Sequence, residues 1–173
     1  MDESSHVLSN AYGYFEELGG AFTITDILTP RPWINVLSND RYGVVLSQAG
    51  GGFSWADNCQ LFRLNRWEQD LVQDAYGRFV YVQDLDDPAE LWSTTYQPTR
   101  RKAELEEVRH ELGATTFRRR FLDLETRQTV FVPDDCSAEV WIIEIDNLSD
   151  RVRNLKLGSY LEWHLGGIGD WHR

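Results

Sequence analysis

Hydrophobic and polar side chains alternate along most of the chain, which is the period of a β-strand. In residues 138–146 the alternation places Trp141 and two isoleucines on one face. Turn-forming residues occupy 147–150, and the alternation then resumes and continues to Trp163. The two runs predict a β-hairpin, and they predict that Trp141 and Trp163 are core residues.

The same alternation recurs upstream and predicts further short strands. These cover residues 22–25, 42–47, 79–83, 91–95, 115–122 and 126–132. The segment 101–110 is compatible with either a strand or a two-turn helix. Many short strands separated by turns are typical of a β-sandwich or a β-barrel, so the sequence predicts an all-β fold.

The end of the sequence suggests that the fold continues. After the last predicted strand the chain enters a glycine-rich stretch, residues 166–173, which caps or closes no sheet. A sandwich that ended there would leave an unpaired edge, and natural proteins usually cover such edges. We therefore expect this chain to be part of a longer protein.

The negative charge of the chain argues against two classes of binding partner. Its 28 acidic and 17 basic residues give a formal net charge of −11. Because phosphate backbones and anionic lipids are bound by clustered lysine and arginine, we expect neither a nucleic-acid partner nor a membrane partner. The N-terminal residues carry no hydrophobic segment of a secretory signal, and no apolar run could span a bilayer. We expect a cytoplasmic location.

The cysteines and histidines give little support to a metal site. Cys59 and Cys136 lie far apart, without a CxxC pair, and we interpret them as free thiols in or near the core. His110, His164 and His172 could act as bases or ligands, and His164 forms a candidate trio with Asp170 and His172. A metal site needs side chains that converge, which a glycine-rich loop does not guarantee. We expect no bound metal.

Two further groups of residues are open to more than one interpretation. The alternation splits the arginine run 118–120, which we interpret as a solvated sheet face. Three consecutive glycines, Gly50–Gly52, match neither a P-loop nor a dinucleotide-binding fingerprint. We predict that they form a structural turn in which at least one has a positive φ, although close approach to a ligand is the alternative. The carboxylates are numerous, but no acid–base pair can be recognised.

Aromatic residues are abundant, with seven tryptophans and seven tyrosines. Aromatic faces can stack on sugar rings, but the core of a sandwich also contains tryptophan. Trp55 and Trp171 lie in glycine-rich segments, where burial explains a tryptophan less well. Both are therefore candidates for contact with a ligand or a partner.

Three stretches together resemble a known family. They are LTPRPWINVLSN (28–39), YGVVLSQAGGGFSW (42–55) and the region from TVFVP (129–133) to YLEW (160–163). The chain resembles the N-terminal part of the glycoside hydrolase family 94 phosphorylases. This group includes cellobiose, cellodextrin and chitobiose phosphorylases, β-1,2-oligoglucan phosphorylases and cyclic β-1,2-glucan synthases.

The resemblance implies an antiparallel β-sandwich of the galactose-mutarotase-like supersandwich type, apparently truncated. Residues 21–173 would form part of this domain after an N-terminal extension, residues 1–20. In the family a helical linker and an (α/α)6 barrel follow, and the barrel carries the general acid and the phosphate site. No catalytic residue is therefore expected in this chain. The family reaction is reversible, inverting phosphorolysis of β-glucosides to α-sugar 1-phosphates, with inorganic phosphate as co-substrate and no cofactor.

The resemblance also implies an accessory role and a set of partners. We expect a β-linked disaccharide or oligosaccharide as ligand and a homodimer in which one subunit's sandwich borders the other's barrel. Candidate substrate-binding residues are Asp170, Trp171, His172, Arg173 and Trp55. The alternative is a self-standing, non-catalytic carbohydrate-binding module of the β-sandwich type.

Overall fold

The computed structural model describes residues 8–16, 20–167 and 169, and within them it contains fifteen β-strands and no α-helix. The strands are β1 (Ser9–Asn10), β2 (Gly13–Phe15), β3 (Ala21–Ile24), β4 (Ile34–Ser38), β5 (Tyr42–Ser47), β6 (Gly52–Ala56), β7 (Arg63–Asn65), β8 (Phe79–Asp84), β9 (Leu91–Ser93), β10 (Leu105–Glu111), β11 (Thr115–Phe121), β12 (Leu124–Phe131), β13 (Val140–Asn147), β14 (Leu155–Tyr160) and β15 (Trp163–Gly166). The all-β prediction is confirmed, and the ambiguous segment 101–110 contributes to strand β10.

The strands form three antiparallel sheets. A seven-stranded sheet has the order β1-β2-β3-β10-β11-β12-β13, a five-stranded sheet has the order β15-β7-β6-β5-β4, and a three-stranded sheet has the order β14-β8-β9. The seven-stranded sheet forms one layer of a sandwich, and the two smaller sheets form the other. Nothing in the described part of the chain forms a helix with the length and hydrophobicity needed to cross a lipid bilayer.

Two hydrophobic clusters hold the layers together. The larger one joins Val44 and Leu46 of the five-stranded sheet to Phe117 and Val130 of the seven-stranded sheet. The smaller one joins the three-stranded sheet to the seven-stranded sheet and is centred on Val82, Trp92 and Leu124. Because side chains alternate along a strand, each sheet turns one face toward this interior and the other outward.

The predicted hairpin between residues 138 and 163 is wrong. Strand β13 pairs with β12 at the edge of the seven-stranded sheet, whereas β14 pairs with β8 in the opposite layer. The chain crosses between the layers at residues 148–154, and this crossing is fixed by a buried ion pair of 2.7 Å between Arg153 and Asp84. The polar residues at 147–150 do form a turn, but the turn leads to a different sheet.

The paired prediction for the two tryptophans holds for only one of them. Trp141 is half-buried. It lies on the inward face of β13 and packs against the larger hydrophobic cluster. Trp163 is 64% exposed, so its assignment to the core is wrong. Residues 161–162 lead from the three-stranded sheet into edge strand β15, which interrupts the alternation from which the inward position was inferred.

The arginine run lies on strand β11 and is only partly solvated. Arg118 and Arg120 are half-exposed on the outer face, as expected. Arg119 has the opposite orientation and is 2% exposed, so the interpretation of the whole run as a solvated face is wrong. Its guanidinium donates hydrogen bonds to the carbonyl oxygens of Ser93 and Thr95, and it lies 2.7 Å from the carboxylate of Glu106. These partners satisfy a charge that would otherwise be excluded from the interior.

Both cysteines are free thiols, as expected, but their predicted burial is wrong. Cys59 and Cys136 are exposed. Each lies in a loop, the first between β6 and β7 and the second between β12 and β13, rather than on the inward face of a strand. Position in a connecting loop explains their exposure.

Candidate functional site

The glycine-rich turn connects β5 to β6, and its shape depends on two of its glycines. Gly50 has a φ of 92° and Gly52 a φ of 141°, which confirms the prediction of a positive φ. A Cβ atom on Gly52 would collide with the carbonyl oxygen of Val45, and one on Gly50 would lie 2.5 Å from the side chain of Thr95. The turn therefore lies closer to its neighbours than any other residue type would allow.

A serine and an aspartate meet beneath this turn. The Oγ atom of Ser47 accepts hydrogen bonds from the backbone N–H groups of Ala49 (3.2 Å) and Gly51 (3.0 Å). Because these two bonds use the acceptor positions of the Ser47 hydroxyl, the hydroxyl acts as the donor of a hydrogen bond to Oδ2 of Asp74. A Cβ atom on Gly51 would collide with the Asp74 carboxyl group, so the glycine makes room for the carboxylate.

The Asp74 carboxyl group has unusual electrostatics for a loop residue. Burial raises its pKa to about 6, while the hydrogen bond from Ser47 and the charge of Arg100 lower it and the charge of Asp70 raises it. Asp74 also has a φ of 47°, in the left-handed region that non-glycine residues seldom adopt. Among the described residues, its second oxygen, Oδ1, accepts no hydrogen bond.

The first cavity beside Asp74 opens on the outer face of the five-stranded sheet and has a volume of about 370 Å³. Val45 and Phe53, neighbours across β5 and β6, line it from the sheet, and Trp67 and Leu71 line it from the segment after β7. Asp74 lies between this cavity and the next. The lining is therefore mainly apolar and aromatic, and its charged residues are Arg63, Asp70 and Asp74.

The aromatic side of this cavity is a cluster of two mutually tilted rings and a guanidinium. The ring centroids of Phe53 and Trp67 lie 4.9 Å apart, and the guanidinium of Arg63 lies 4.2 Å from the Phe53 centroid. Arg63 is held in place by hydrogen bonds to the carbonyl oxygens of Cys59 (3.2 Å) and Trp67 (3.3 Å). Burial among these rings lowers the pKa of Arg63 below its usual range, and the cation–π contacts compensate part of that desolvation.

A second, more polar cavity of about 260 Å³ lies on the other side of Asp74. Gln48, Gln97 and Arg100 contribute polar groups to its lining. Gln48 is itself fixed, because it accepts a hydrogen bond from the Trp33 N–H (2.8 Å) and donates one to the Ile27 carbonyl (3.1 Å). Both cavities thus border the segment that follows β5.

Trp55, the candidate ligand contact named above, lies in strand β6 and not in the turn. Its ring covers Gly43 on the neighbouring strand, and its centroid lies 5.7 Å from that of Phe53. This cross-strand packing accounts for its half-buried state. A role for Trp55 in binding substrate stays a prediction.

The other candidates are placed as follows. Asp170, Trp171, His172 and Arg173 lie outside the described residues. Nε2 of His110 lies 3.3 Å from the Trp33 carbonyl and its Nδ1 lies 3.1 Å from the Thr115 hydroxyl, and burial lowers its pKa to about 4. In the described residues there is no cluster of three His, Cys, Asp or Glu side chains that could hold a metal ion.

Sequence reasoning missed Asp74 and Trp67 as members of a site. Both lie in an irregular segment between β7 and β8, where alternation gives no information about orientation. The run of glycines could have indicated that other residues pack closely against the turn. It could not have indicated which residues these are. Only the fold brings Asp74 to Ser47, which is 27 residues away.

Comparison with known proteins finds that this chain is similar to part of two phosphorylases and of a glucan synthase. It is 31% identical over 159 residues to the N,N′-diacetylchitobiose phosphorylase of Vibrio furnissii, covering 91% of this chain and 20% of that protein. It is 33% identical over 160 residues to a 3-O-β-D-glucopyranosyl-β-D-glucuronide phosphorylase of Paenibacillus borealis, with 92% and 20% covered. It is 35% identical over 161 residues to the cyclic β-(1,2)-glucan synthase NdvB of Rhizobium meliloti (strain 1021), with 91% and 6% covered.

The chain thus spans about a fifth of the length of the phosphorylases that it matches. The family model described as the glycosyl hydrolase 94 supersandwich domain matches residues 21–170. This range includes the glycine-rich turn, both cavities and the strands from β3 to β15. By that match, the chain belongs to the glycosyl hydrolase 94 supersandwich family.

Proposed function

We propose that this chain is the N-terminal accessory sandwich of an inverting phosphorylase that acts on β-glucosides or β-glucans. The observation that carries the proposal is the supersandwich match over residues 21–170, together with relatives that are phosphorylases by name. In this proposal residues 21–173 are part of one sandwich domain, preceded by an extension of residues 1–20. The catalytic groups lie in the remainder of the parent enzyme.

The bond-forming and bond-breaking steps of the proposed reaction need no catalytic group from this chain. An oxygen of inorganic phosphate attacks the anomeric carbon of the β-glucoside with inversion, while the glycosidic bond breaks. The departing sugar oxygen takes a proton from a general acid, and the product is an α-sugar 1-phosphate. The reaction requires neither a metal nor an organic cofactor.

The contribution of the sandwich would be to the dimer interface and to the acceptor sugar site. Edge strand β15 exposes Trp163 and Leu165, which are 64% and 67% exposed, and exposed apolar side chains favour a contact surface. The segment that follows β15 carries Asp170, Trp171, His172 and Arg173. We propose that this segment of one subunit reaches the sugar pocket of the other.

The experiment is a phosphorolysis assay of the full-length parent enzyme with phosphate and a panel of β-linked disaccharides. We expect α-sugar 1-phosphate from at least one of them, a dimer by light scattering, and no turnover by the 173-residue chain alone. Trp171→Ala in the parent should raise KM for the acceptor in the synthetic direction and leave the unfolding midpoint in place. Turnover by the chain alone, or a parent that forms no sugar phosphate from any disaccharide, would contradict the proposal.

A further inference from the structure

The first cavity is not needed to hold the layers together. It lies on the outer face of the five-stranded sheet, opposite the face that carries Val44 and Leu46 into the core. A sheet face directed to solvent usually carries polar side chains. This one carries Ile34, which is 57% exposed, and Val45, while Phe53 on the same face is covered by Trp67 and Arg63 and is 9% exposed.

The lining combines two kinds of group that seldom meet without a ligand. Trp67, Phe53 and Val45 provide apolar and aromatic surface. Asp74 and Asp70 line the same cavity and contribute two carboxyl groups to it. Ser47 anchors Asp74 by donating a hydrogen bond to its Oδ2 atom, so this carboxyl group is held in one orientation.

This combination selects among possible occupants. An apolar side chain from a partner protein would cover Asp74 without supplying a hydrogen-bond donor, which is costly for a carboxylate. A pyranose ring has an apolar face of C–H groups that stacks on aromatic rings, and its hydroxyl groups donate hydrogen bonds to carboxylates. The volume of about 370 Å³ lies at the lower end of the range of about 300–1,000 Å³ for small-molecule sites, which suits one or two sugar rings.

We propose that this cavity is a saccharide-binding site, with Trp67 against the face of a hexopyranose and Asp74 accepting a hydrogen bond from one of its hydroxyl groups. The site belongs to the sandwich itself and is separate from the acceptor site proposed above. It would hold a β-linked glucoside near the enzyme without taking part in the reaction. The choice of a β-linked glucoside as ligand rests on the proposed function.

The test is a calorimetric titration of the 173-residue chain with cellobiose and with methyl β-D-glucopyranoside. For a ligand of this size we expect a dissociation constant on the order of 1 mM. Trp67→Ala should weaken binding about tenfold, because the stacking surface is lost. Asp74→Asn keeps an acceptor for Ser47 but loses the charge, and it should weaken binding about fivefold. Phe15→Ala is the control, because it removes an exposed aromatic side chain from strand β2 of the seven-stranded sheet, in the opposite layer, and it should leave the affinity unchanged.

Denaturant midpoints of each variant show whether lost binding reflects lost folding. No heat of binding with either sugar, or equal affinities for the wild type and a folded Trp67→Ala, would overturn the site. An equal loss with Phe15→Ala would also overturn it, since binding would then lie elsewhere. Phosphorolysis by the parent enzyme is measured separately. Sugar binding by a chain whose parent is inactive contradicts the proposed function alone, and an active parent whose sandwich binds no sugar contradicts this site alone.

Discussion

On the outer face of the seven-stranded sheet, Arg118 and Arg120 both pair with Glu125, at 2.6 Å and 2.8 Å, and Arg127 lies 3.5 Å from Glu144. The outer face of the five-stranded sheet carries no such row in its central strands. There, Val45 and Phe53 lie beside Trp67. The two sheets share one interior, yet their outer surfaces have opposite chemistry.

The two outer faces differ in what their side chains are suited to do: one is suited to contact with water and the other to binding. The arginines of this row are half-exposed and so remain in contact with water, although the Glu125 that two of them share is buried. Because each pair has an arginine in water, the loss of one of them should cost little stability. On the outer face of the five-stranded sheet, Phe53 is covered, but Ile34, Val45 and Trp67 leave apolar area at least partly exposed around the cavity. Since both sheets already fill the core with their inner faces, the aromatic outer face is the one that calls for an interaction partner.

The largest expected effect is a difference in the free energy of unfolding between substitutions on the two faces of strand β11. Arg119→Ala leaves Glu106 buried without its partner, and it should lower the free energy of unfolding by about 3–5 kcal/mol. Arg118→Ala removes an outer ion pair and should cost less than about 1 kcal/mol. Urea denaturation measures both. Equal costs would mean that the inner and outer positions of β11 are not distinguished by burial.

The second effect is a difference in the free energy of unfolding between substitutions of Trp141 and Trp163, both of which the sequence predicts to be core residues. Trp141 packs against the core, so Trp141→Ala should lower the free energy of unfolding by about 2–3 kcal/mol. Trp163 is 64% exposed, and Trp163→Ala should cost less than about 1 kcal/mol. The same denaturation experiment compares them. A larger loss at residue 163 than at residue 141 would contradict the exposed position of β15 in this chain.

The third effect is a pH dependence that comes from the cavity. Burial raises the pKa of Asp74 from its usual value to about 6, so the folded chain holds this proton more tightly than the unfolded chain. The resulting stabilisation is present below about pH 4 and is lost as the pH rises through 6. Relative to Asp74→Asn, the wild type should lose about 1–2 kcal/mol between pH 4 and pH 7. A difference that is constant across this range would show that the carboxyl group is not buried.

Alternation was sufficient to predict the regular strands but not their partners. It predicted β5, β8, β11 and β12 and the inward face of β13, because each of these depends on local pattern. The pairing of β14 depends on Arg153 finding Asp84, a contact across 69 residues that no local pattern contains. The turn before β14 is encoded locally, and the sheet that it leads to is not.

The site was less predictable than the fold. Alternation indicates which face Arg119 occupies, but it does not show that Ser93, Thr95 and Glu106 supply enough partners to bury a guanidinium there. Asp74 lies in an irregular segment, so its position beneath Gly51 follows from tertiary contacts alone. The glycine-rich turn was recognised correctly as a structural element, and its neighbours were not.

The most direct measurement compares two adjacent valines of β5, one on each face of the five-stranded sheet. Val44 is fully buried in the core, and Val45 lines the outer cavity. Val44→Ala should lower the free energy of unfolding by about 2 kcal/mol and leave the cellobiose affinity of the folded chain unchanged. Val45→Ala should weaken cellobiose binding and cost less than about 1 kcal/mol of stability. If both variants lose stability equally and neither changes cellobiose affinity, the outer face is not a binding surface.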